Sequence, residues 1–411
     1  METPNKGDSR WGSLFKNDLQ GMLLPILLIT IIGSVNIFSA TYISSIYENT
    51  GLLGYFSKHI GFLFLSMAIG VILYRYDYRQ LQKPHMLQRI MIATLIGMVL
   101  VLVAGSVING ARRWIVIGPV SIQPSEFAKL AAIIWTSAKL STMRKWGKSR
   151  YNSPLTNLQG YVSERVGYML PMLVWPIIFA VLTILQPDMG TTVLIFGFSF
   201  ILIYLAGFDG RFFGGAFAVA GVIGFIAARM SPYRWERIQS WFDPWPHAQD
   251  MGYQTVQGLL AVGSGGILGE GFMQGTSKYF YLPEAHTDFV FSIVIEELGF
   301  VGASLILALL FFLILRIILV GIRARDPFNS MMAIGIGGML LTQTFINIGG
   351  ISGLIPSTGV TFPFLSQGGN SLWVLSIAVA LVLNIDASEK RALATQEAPS
   401  YEKPQKIQSY Y

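Results

Sequence analysis

The stretch TSKYFYLPEAHTDFVFSIVIEELGFVG, Thr276 to Gly302, decides how this chain reads. Its first half is polar and loop-like, and its second half is a strongly apolar helical run. His286, Thr287 and Asp288 sit at the junction, while Glu296 and Glu297 lie inside the apolar run. Carboxylates are expensive in hydrocarbon, so an ionisable residue there marks a functional position by default. Asp288 falls where a helix leaves the membrane surface, within reach of water and of a lipid-borne substrate. Thr287 or Asp288 equally suits the helix N-cap, because both types accept hydrogen bonds from the first turn. On a helix turning about 100° per residue, Glu296 lies about 80° round from Asp288 and roughly 12–13 Å deeper, with Glu297 opposite. Glu296 is therefore expected to line the same cavity, and Glu297 to pair with another helix.

The 411 residues are 53% hydrophobic and 12% charged. About 25% charged residues is usual for a soluble domain, so this is the composition of a membrane protein. There is no cysteine, which excludes disulfides and thiol chemistry. The net charge of +7 reads as loop charge that sets topology and meets anionic lipid, with no nucleic-acid surface. No repeat is visible at solenoid periods.

Apolar runs of about 20 residues, the length that crosses a bilayer, fall near Met22–Tyr42, Leu52–Tyr74, Met86–Gly105, Glu126–Met143, Gly167–Leu185, Thr191–Gly207, Phe212–Met230, Asp288–Ile318, Phe328–Ile348 and Leu365–Ile385. They predict an all-α polytopic protein of about ten transmembrane helices. Residues 1–20 form an N-terminal segment, 21–385 the membrane domain, and 386–411 a polar tail expected to be disordered. The first run is too long for a signal-peptide core and reads as an uncleaved span. Basic residues gather in the second-to-third connection (Arg75, Arg79, Lys83, Arg89), the fourth-to-fifth (Arg144, Lys145, Lys148, Arg150, Arg165) and the eighth-to-ninth (Arg323, Arg325). With ten spans these share one side, which the positive-inside rule makes cytoplasmic along with both termini. The outer side receives Val107–Ser125, the turn Gln186–Gly190, a long extracytoplasmic loop (231–287) between helices 7 and 8, and Gly349–Ser366. The long loop far exceeds a usual connection, and its Trp235, Trp241, Trp245 and Tyr253 suit a membrane interface. Within it, Tyr253–Val262 reads as a short amphipathic helix ended by Gly263-Ser264-Gly265-Gly266. The loop is expected to lie on the membrane surface and cover an outward-facing cavity.

On that outer side, Asn109-Gly110-Ala111-Arg112-Arg113-Trp114 places two arginines against the charge bias. Guanidinium binds phosphate in a bidentate fork, so the pair suits an anionic headgroup, or else it snorkels to lipid phosphates. Trp114 reads as an interface anchor. In Gln123-Pro124-Ser125-Glu126-Phe127-Ala128-Lys129, Ser125 reads as an N-cap. Glu126 and Lys129 share one helix face, as a plain ion pair or as a pair facing the bundle interior. Asp188 follows Pro187 in a turn and suits either a cap or a substrate ligand. His286 with Asp288 is too sparse for a dedicated transition-metal site. Mg²⁺ or Mn²⁺ shared with substrate phosphates fits better, since Mg²⁺ needs only one or two protein carboxylates. No serine-nucleophile motif, P-loop or HExxH is present. Acid and base groups collected on the outer face near arginines fit chemistry on, or transport of, an anionic lipid-linked substrate.

The segments NGARRWIVIGPVSIQPSEFAKL, LQPDMGT, GYQTVQGLLAVGSGGILGEGF, LPEAHTDFVFSIVIEELGFVG and PFLSQGGNSL, in that order, resemble the SEDS proteins (shape, elongation, division and sporulation), which include RodA, FtsW and SpoVE. GEGFMQGTSKYFYLPEAHTDF is more similar to RodA, while Gln367 and Asn370 stand where the family usually has Tyr and Ser. The resemblance implies a peptidoglycan glycosyltransferase of the bacterial cytoplasmic membrane. It would polymerise lipid II into β-1,4 glycan at the outer face, for elongation and rod shape, or in an FtsW-like division or sporulation role. It implies as partners lipid II, the growing glycan strand, a class B penicillin-binding protein and other elongation or division complex proteins. It places the essential aspartate on Asp288 and family motif residues on Trp114, Glu126 and Lys129. Arg112, Arg113, Asp188, His286 and Glu296 complete the expected substrate-binding set. A lipid II flippase is the rival function, and a scaffold that only recruits the penicillin-binding partner is a third.

Overall fold

The computed structural model describes residues 18–47, 53–108, 111–118, 120–143, 158–206, 232–279 and 285–397, with Leu282 and scattered positions between 214 and 230. Eleven helices occur among them: α1 (Asp18–Tyr47), α2 (Gly54–Arg75), α3 (Pro84–Ala104), α4 (Pro124–Met143), α5 (Leu158–Leu185), α6 (Met189–Leu205), α7 (Pro232–Phe242), α8 (Tyr253–Ser264), α9 (Val290–Arg323), α10 (Pro327–Ile351) and α11 (Gly369–Glu397). Nine of the ten expected spans appear as long helices. The other, Phe212–Met230, falls largely outside the described residues. α7 and α8 lie within the long 231–287 connection, and α8 ends at Gly265 as its glycine run predicts.

The chain is a multi-pass membrane protein: six of these helices are long and apolar enough to cross a bilayer. α10 packs against α9, α4 and α6, while α9 also packs against α1 and α8, and α11 against α2. Lipid tails are as apolar as leucine, so close backbone approach at small residues replaces hydrophobic drive. A Cβ at Gly321 of α9 would lie 2.9 Å from the Ser330 carbonyl of α10, and one at Gly337 would lie 2.7 Å from Ile318. Asp326 caps α10 by accepting from the Phe328 and Asn329 amides, with Pro327 at the first helical position.

The second-to-third and eighth-to-ninth basic connections meet the last turns of α11 at one end of the bundle. Arg79 donates to Ser388 at 2.9 Å, and Gln82 to Ser141 at 3.3 Å. Glu389 accepts from the Asn329 side chain at 2.7 Å and the Arg325 amide at 3.2 Å. These bonds correct the expected disorder from Asp386 onward, because α11 continues as helix to Glu397. A polar composition cannot show that Glu389 has partners waiting on the α9–α10 turn. Residues 398–411 and 1–17 lie outside the described residues.

At the other end, β1 (Ser106–Ile108), β2 (Ala111–Ile117) and β3 (Val120–Ile122) form an antiparallel sheet in that order. β-branched residues in IVI and VSI favour strands, and Gly118 supplies the positive φ of 59° at the second turn.

α9 is broken at Gly299, where φ is 69° and ψ −175°. The glycine loop after α8 fills the break. The Glu270 and Gly271 amides donate to the Glu296 and Glu297 carbonyls, and the Phe300 and Val301 amides donate to the Gly266 and Ile267 carbonyls. Non-helical backbone is tolerated at membrane depth only when its polar groups are satisfied in this way. Ile267 and Leu268, 71% and 79% exposed, point their apolar tip outward from the bundle.

Candidate active site

Asp288 sits on the turn that leads into α9. The N-cap is Phe289, whose side chain has no acceptor, so neither Thr287 nor Asp288 takes the cap position. Asp288 is half-buried, and the Thr287 hydroxyl donates to its Oδ1 at 3.0 Å. Its main-chain carbonyl accepts from Asn347 Nδ2 at 2.7 Å, and the same nitrogen donates to the Val360 carbonyl at 2.7 Å. Gln343, one turn earlier on α10, donates to the Thr361 carbonyl at 2.9 Å. Asp288, Asn347 and residues 357–360 line a small pocket. At Gly359, with φ +70°, a Cβ would lie 3.9 Å from Asp288 Oδ2. Glycine there keeps the space beside the carboxylate open and permits the turn. The His286 carbonyl accepts from the Gln367 amide at 2.9 Å, and its ring faces Tyr55 with centroids 5.6 Å apart.

A second cluster surrounds the turn before α6. Asp188 caps that helix, accepting from the Thr191 amide at 3.2 Å, and also accepts from Gln123 and Ser125, each at 3.2 Å. Arg113 donates through Nε to the Gln186 carbonyl at 3.1 Å and through Nη2 to the Pro187 carbonyl, with Nη1 3.9 Å from Asp188. Asp188 therefore is the cap that its turn chemistry suggests, and it also meets Arg113, which the sequence did not indicate. Ser125 is not an N-cap: α4 already begins at Pro124, and the Ser125 hydroxyl is spent on Asp188. One residue on, Glu126 pairs with Lys129 at 2.9 Å. They are 9% and 2% exposed, so the pair faces the interior, and Glu126 Oε2 has no hydrogen-bond partner among the described residues.

Strand alternation on β2 sends Arg113 to one face and its neighbours Arg112 and Trp114 to the other. Arg112 is exposed, with Nη1 3.2 Å from the Leu102 carbonyl at the end of α3. Trp114 is half-buried opposite Ser106. Asn370 ties the hairpin to α11 by accepting from the Gln123 amide at 3.1 Å and donating to the Ser121 carbonyl at 2.7 Å. A serine is too short for both. The clusters meet at residues 357–361. A Cβ at Gly190 in α6 would lie 2.8 Å from the Thr358 carbonyl, so glycine lets α6 touch the segment that faces Asp288 from the other side.

Glu296 departs from expectation. It is fully buried, and its Oε1 accepts from the amides and hydroxyls of Thr276 and Ser277 at 2.8–3.3 Å. It anchors the loop before the active turn and does not line the Asp288 pocket. The helical projection from Asp288 missed this because helix begins only at Val290 and the loop returns against α9. Glu297 does pair with other elements: Lys278 at 2.8 Å and Ser39 of α1 at 2.5 Å. Sequence reasoning passed over Lys278, Gln343 and Asn347. The two amides carried a signal, since polar residues four apart inside a span are expected to face protein.

Among the described residues no three His, Asp or Glu side chains cluster as metal ligands. A carboxylate beside a hydroxyl, at Asp288 and Thr287, suits only an ion that keeps its waters and borrows phosphate oxygens.

A family model described as "Cell cycle protein", covering FtsW, RodA and SpoVE, matches residues 20–391. The chain is 34% identical over 402 residues to a probable peptidoglycan glycosyltransferase FtsW of Lactococcus lactis, covering 92% of this chain and 95% of that one. It is 36% identical over 372 residues to stage V sporulation protein E of Bacillus subtilis, covering 90% and 96%. Its fold superposes on the rod shape determining protein RodA of Thermus thermophilus with a TM-score of 0.61 at 26% identity, covering 90% and 97%. It superposes on a chain from a structure of a peptidoglycan synthase complex that coordinates polymerization and crosslinking, with a TM-score of 0.69 at 26% identity and the same coverage. The chain belongs to the SEDS family, that of FtsW, RodA and SpoVE.

Proposed function

We propose that this protein is a peptidoglycan glycosyltransferase that polymerises lipid II at the outer face of the bacterial cytoplasmic membrane, in a RodA-like elongation role. The observation that carries the reading is Asp288. It is half-buried and lines a pocket with Asn347 and residues 357–360, and the same 357–361 segment meets the α6 end of the separate cluster that holds Arg113 and Asp188. Asp288 acts as general base on the C4 hydroxyl of the acceptor sugar. That oxygen attacks C1 of the donor glycan, and undecaprenyl pyrophosphate leaves. An α-linked donor becomes a β-1,4 bond, so one in-line displacement with inversion suffices and no protein nucleophile is needed. General-base assistance is worth about 10²–10⁴-fold, or roughly 3–5 kcal/mol of barrier.

The leaving pyrophosphate needs its charge stabilised. Arg113, whose side chain is 26% exposed while it holds the 186–188 turn, is assigned that role, with exposed Arg112 on the opposite face of β2 and buried Lys129, paired with Glu126, as helpers. Mg²⁺ or Mn²⁺ held by Asp288 and substrate phosphates would offset the same charge. A class B penicillin-binding protein is the proposed partner, in keeping with the likeness to a peptidoglycan synthase complex.

A flippase is the reading to exclude, and the break in α9 favours it, because discontinuous helices build transporter sites. Here, however, the four backbone groups freed around Gly299 are taken by residues 266–271 and are not left for a ligand. Polymerisation of lipid II by purified protein, alone and with the partner, tests the proposal. Wild type should make glycan strands and Asp288→Asn should lose them by about 10²–10⁴-fold while folding is retained. Equal polymer from both removes Asp288 from catalysis. Lipid II crossing vesicle membranes without any polymer establishes the flippase.

A further inference from the structure

We infer that Asn347 is a positioning residue that sets where the Asp288 carboxylate stands, an inference that rests on the glycosyltransferase reading above. Asn347 is 4% exposed, and both hydrogens of its Nδ2 are used: one on the Asp288 carbonyl, one on the Val360 carbonyl, each at 2.7 Å. One side-chain amide thus bolts the turn that carries the base to the segment that forms the opposite wall of the pocket. Asp288 precedes the first residue of α9 by two, and the N-cap Phe289 offers no side-chain bond. The two acceptors also determine which way the amide points, because Oδ1 in place of Nδ2 would set three oxygens together.

Gln343 makes the comparison clean. It lies four residues earlier on α10 and donates to the Thr361 carbonyl at 2.9 Å. It holds the same wall but does not reach Asp288. Loss of Gln343 therefore loosens the wall alone, whereas loss of Asn347 loosens the wall and releases the base. A displacement of about 1 Å at a catalytic group costs on the order of 10²-fold.

The test is lipid II polymerisation kinetics on the full-length protein, for wild type, Asp288→Asn, Asn347→Ala, Asn347→Ser and Gln343→Ala, with thermal unfolding alongside. We expect Asn347→Ala to lower kcat by about 10²-fold with KM for lipid II nearly unchanged. Gln343→Ala should lower the unfolding midpoint as much and kcat far less. If Asn347→Ala does not fold, Asn347→Ser takes its place, and failure of both shows a structural tether and overturns the inference. So does a folded Asn347 variant with wild-type kcat, or equal kcat losses in the Asn347 and Gln343 variants. An active Asp288→Asn removes Asp288 from catalysis and with it the premise of this inference, whereas no polymer from wild type refutes the proposed function itself. An inactive Asp288→Asn beside a fully active Asn347→Ala refutes only the positioning role.

Discussion

Replacing Lys278 by Met should unfold the protein at a markedly lower temperature, and replacing its partner as well should restore most of the loss. Lys278 and Glu297 lie 2.8 Å apart with side chains 2% and 0% exposed, where neither charge is solvated. Their attraction at an effective dielectric of 20 is about 6 kcal/mol, much of it cancelled by the desolvation of both ions. Removing the lysine alone keeps the cost of the buried carboxylate and discards the compensation, a loss of about 3–5 kcal/mol. The Ser39 hydroxyl, 2.5 Å from the same oxygen, remains and offsets roughly 1 kcal/mol. A net loss of about 2–4 kcal/mol should lower the midpoint by several degrees on the size scaling of smaller domains. Tryptophan fluorescence during heating in detergent reads this directly. Lys278→Met/Glu297→Leu leaves no buried charge and should melt near wild type, since well-packed apolar replacements of buried ion pairs are often neutral. A Lys278→Met protein that melts with wild type would refute the reasoning. So would a double variant as unstable as the single one.

Three further outcomes follow from the same packing. Gly299→Ala should prevent recovery of folded protein from detergent extracts, because a Cβ there would lie 2.3 Å from the Gly269 amide nitrogen at a φ that favours glycine. Gly263→Ala, where a Cβ meets nothing within 4 Å, should melt like wild type in the same assay. Asn370→Ser should cost about 1–3 kcal/mol by releasing the Gln123 amide and the Ser121 carbonyl, read as a lower melting midpoint with unchanged helical content.

The Gly299 break also explains how the long 231–287 connection is built. Its glycines carry backbone into α9, and its Thr276, Ser277 and Lys278 are held by Glu296 and Glu297. The two buried carboxylates therefore position the loop from which Asp288 emerges, and contact with substrate is left to the turn itself.

The amino-acid sequence by itself determined what depends on local composition and period. Runs of apolar residues placed nine long helices, because a bilayer demands a length that can be counted. The glycine run ended α8, and the turn chemistry of Pro187-Asp188 made a cap. Asp288 was legible because an acid at the edge of an apolar run stands out against its surroundings. Only the tertiary structure decided matters that depend on groups distant in sequence. Glu296 and Glu297 are neighbours of one type, yet one holds a loop and the other an ion pair, because a broken helix turns them toward different partners. α11 outlasts its apolar stretch because Glu389 finds donors on the α9–α10 turn. Asn347 reaches the base only because α10 passes between two loops, 59 and 13 residues away in sequence, that converge on its one amide nitrogen. Hydropathy records the solvent around each residue, and a hydrogen-bond partner belongs to the folded chain alone.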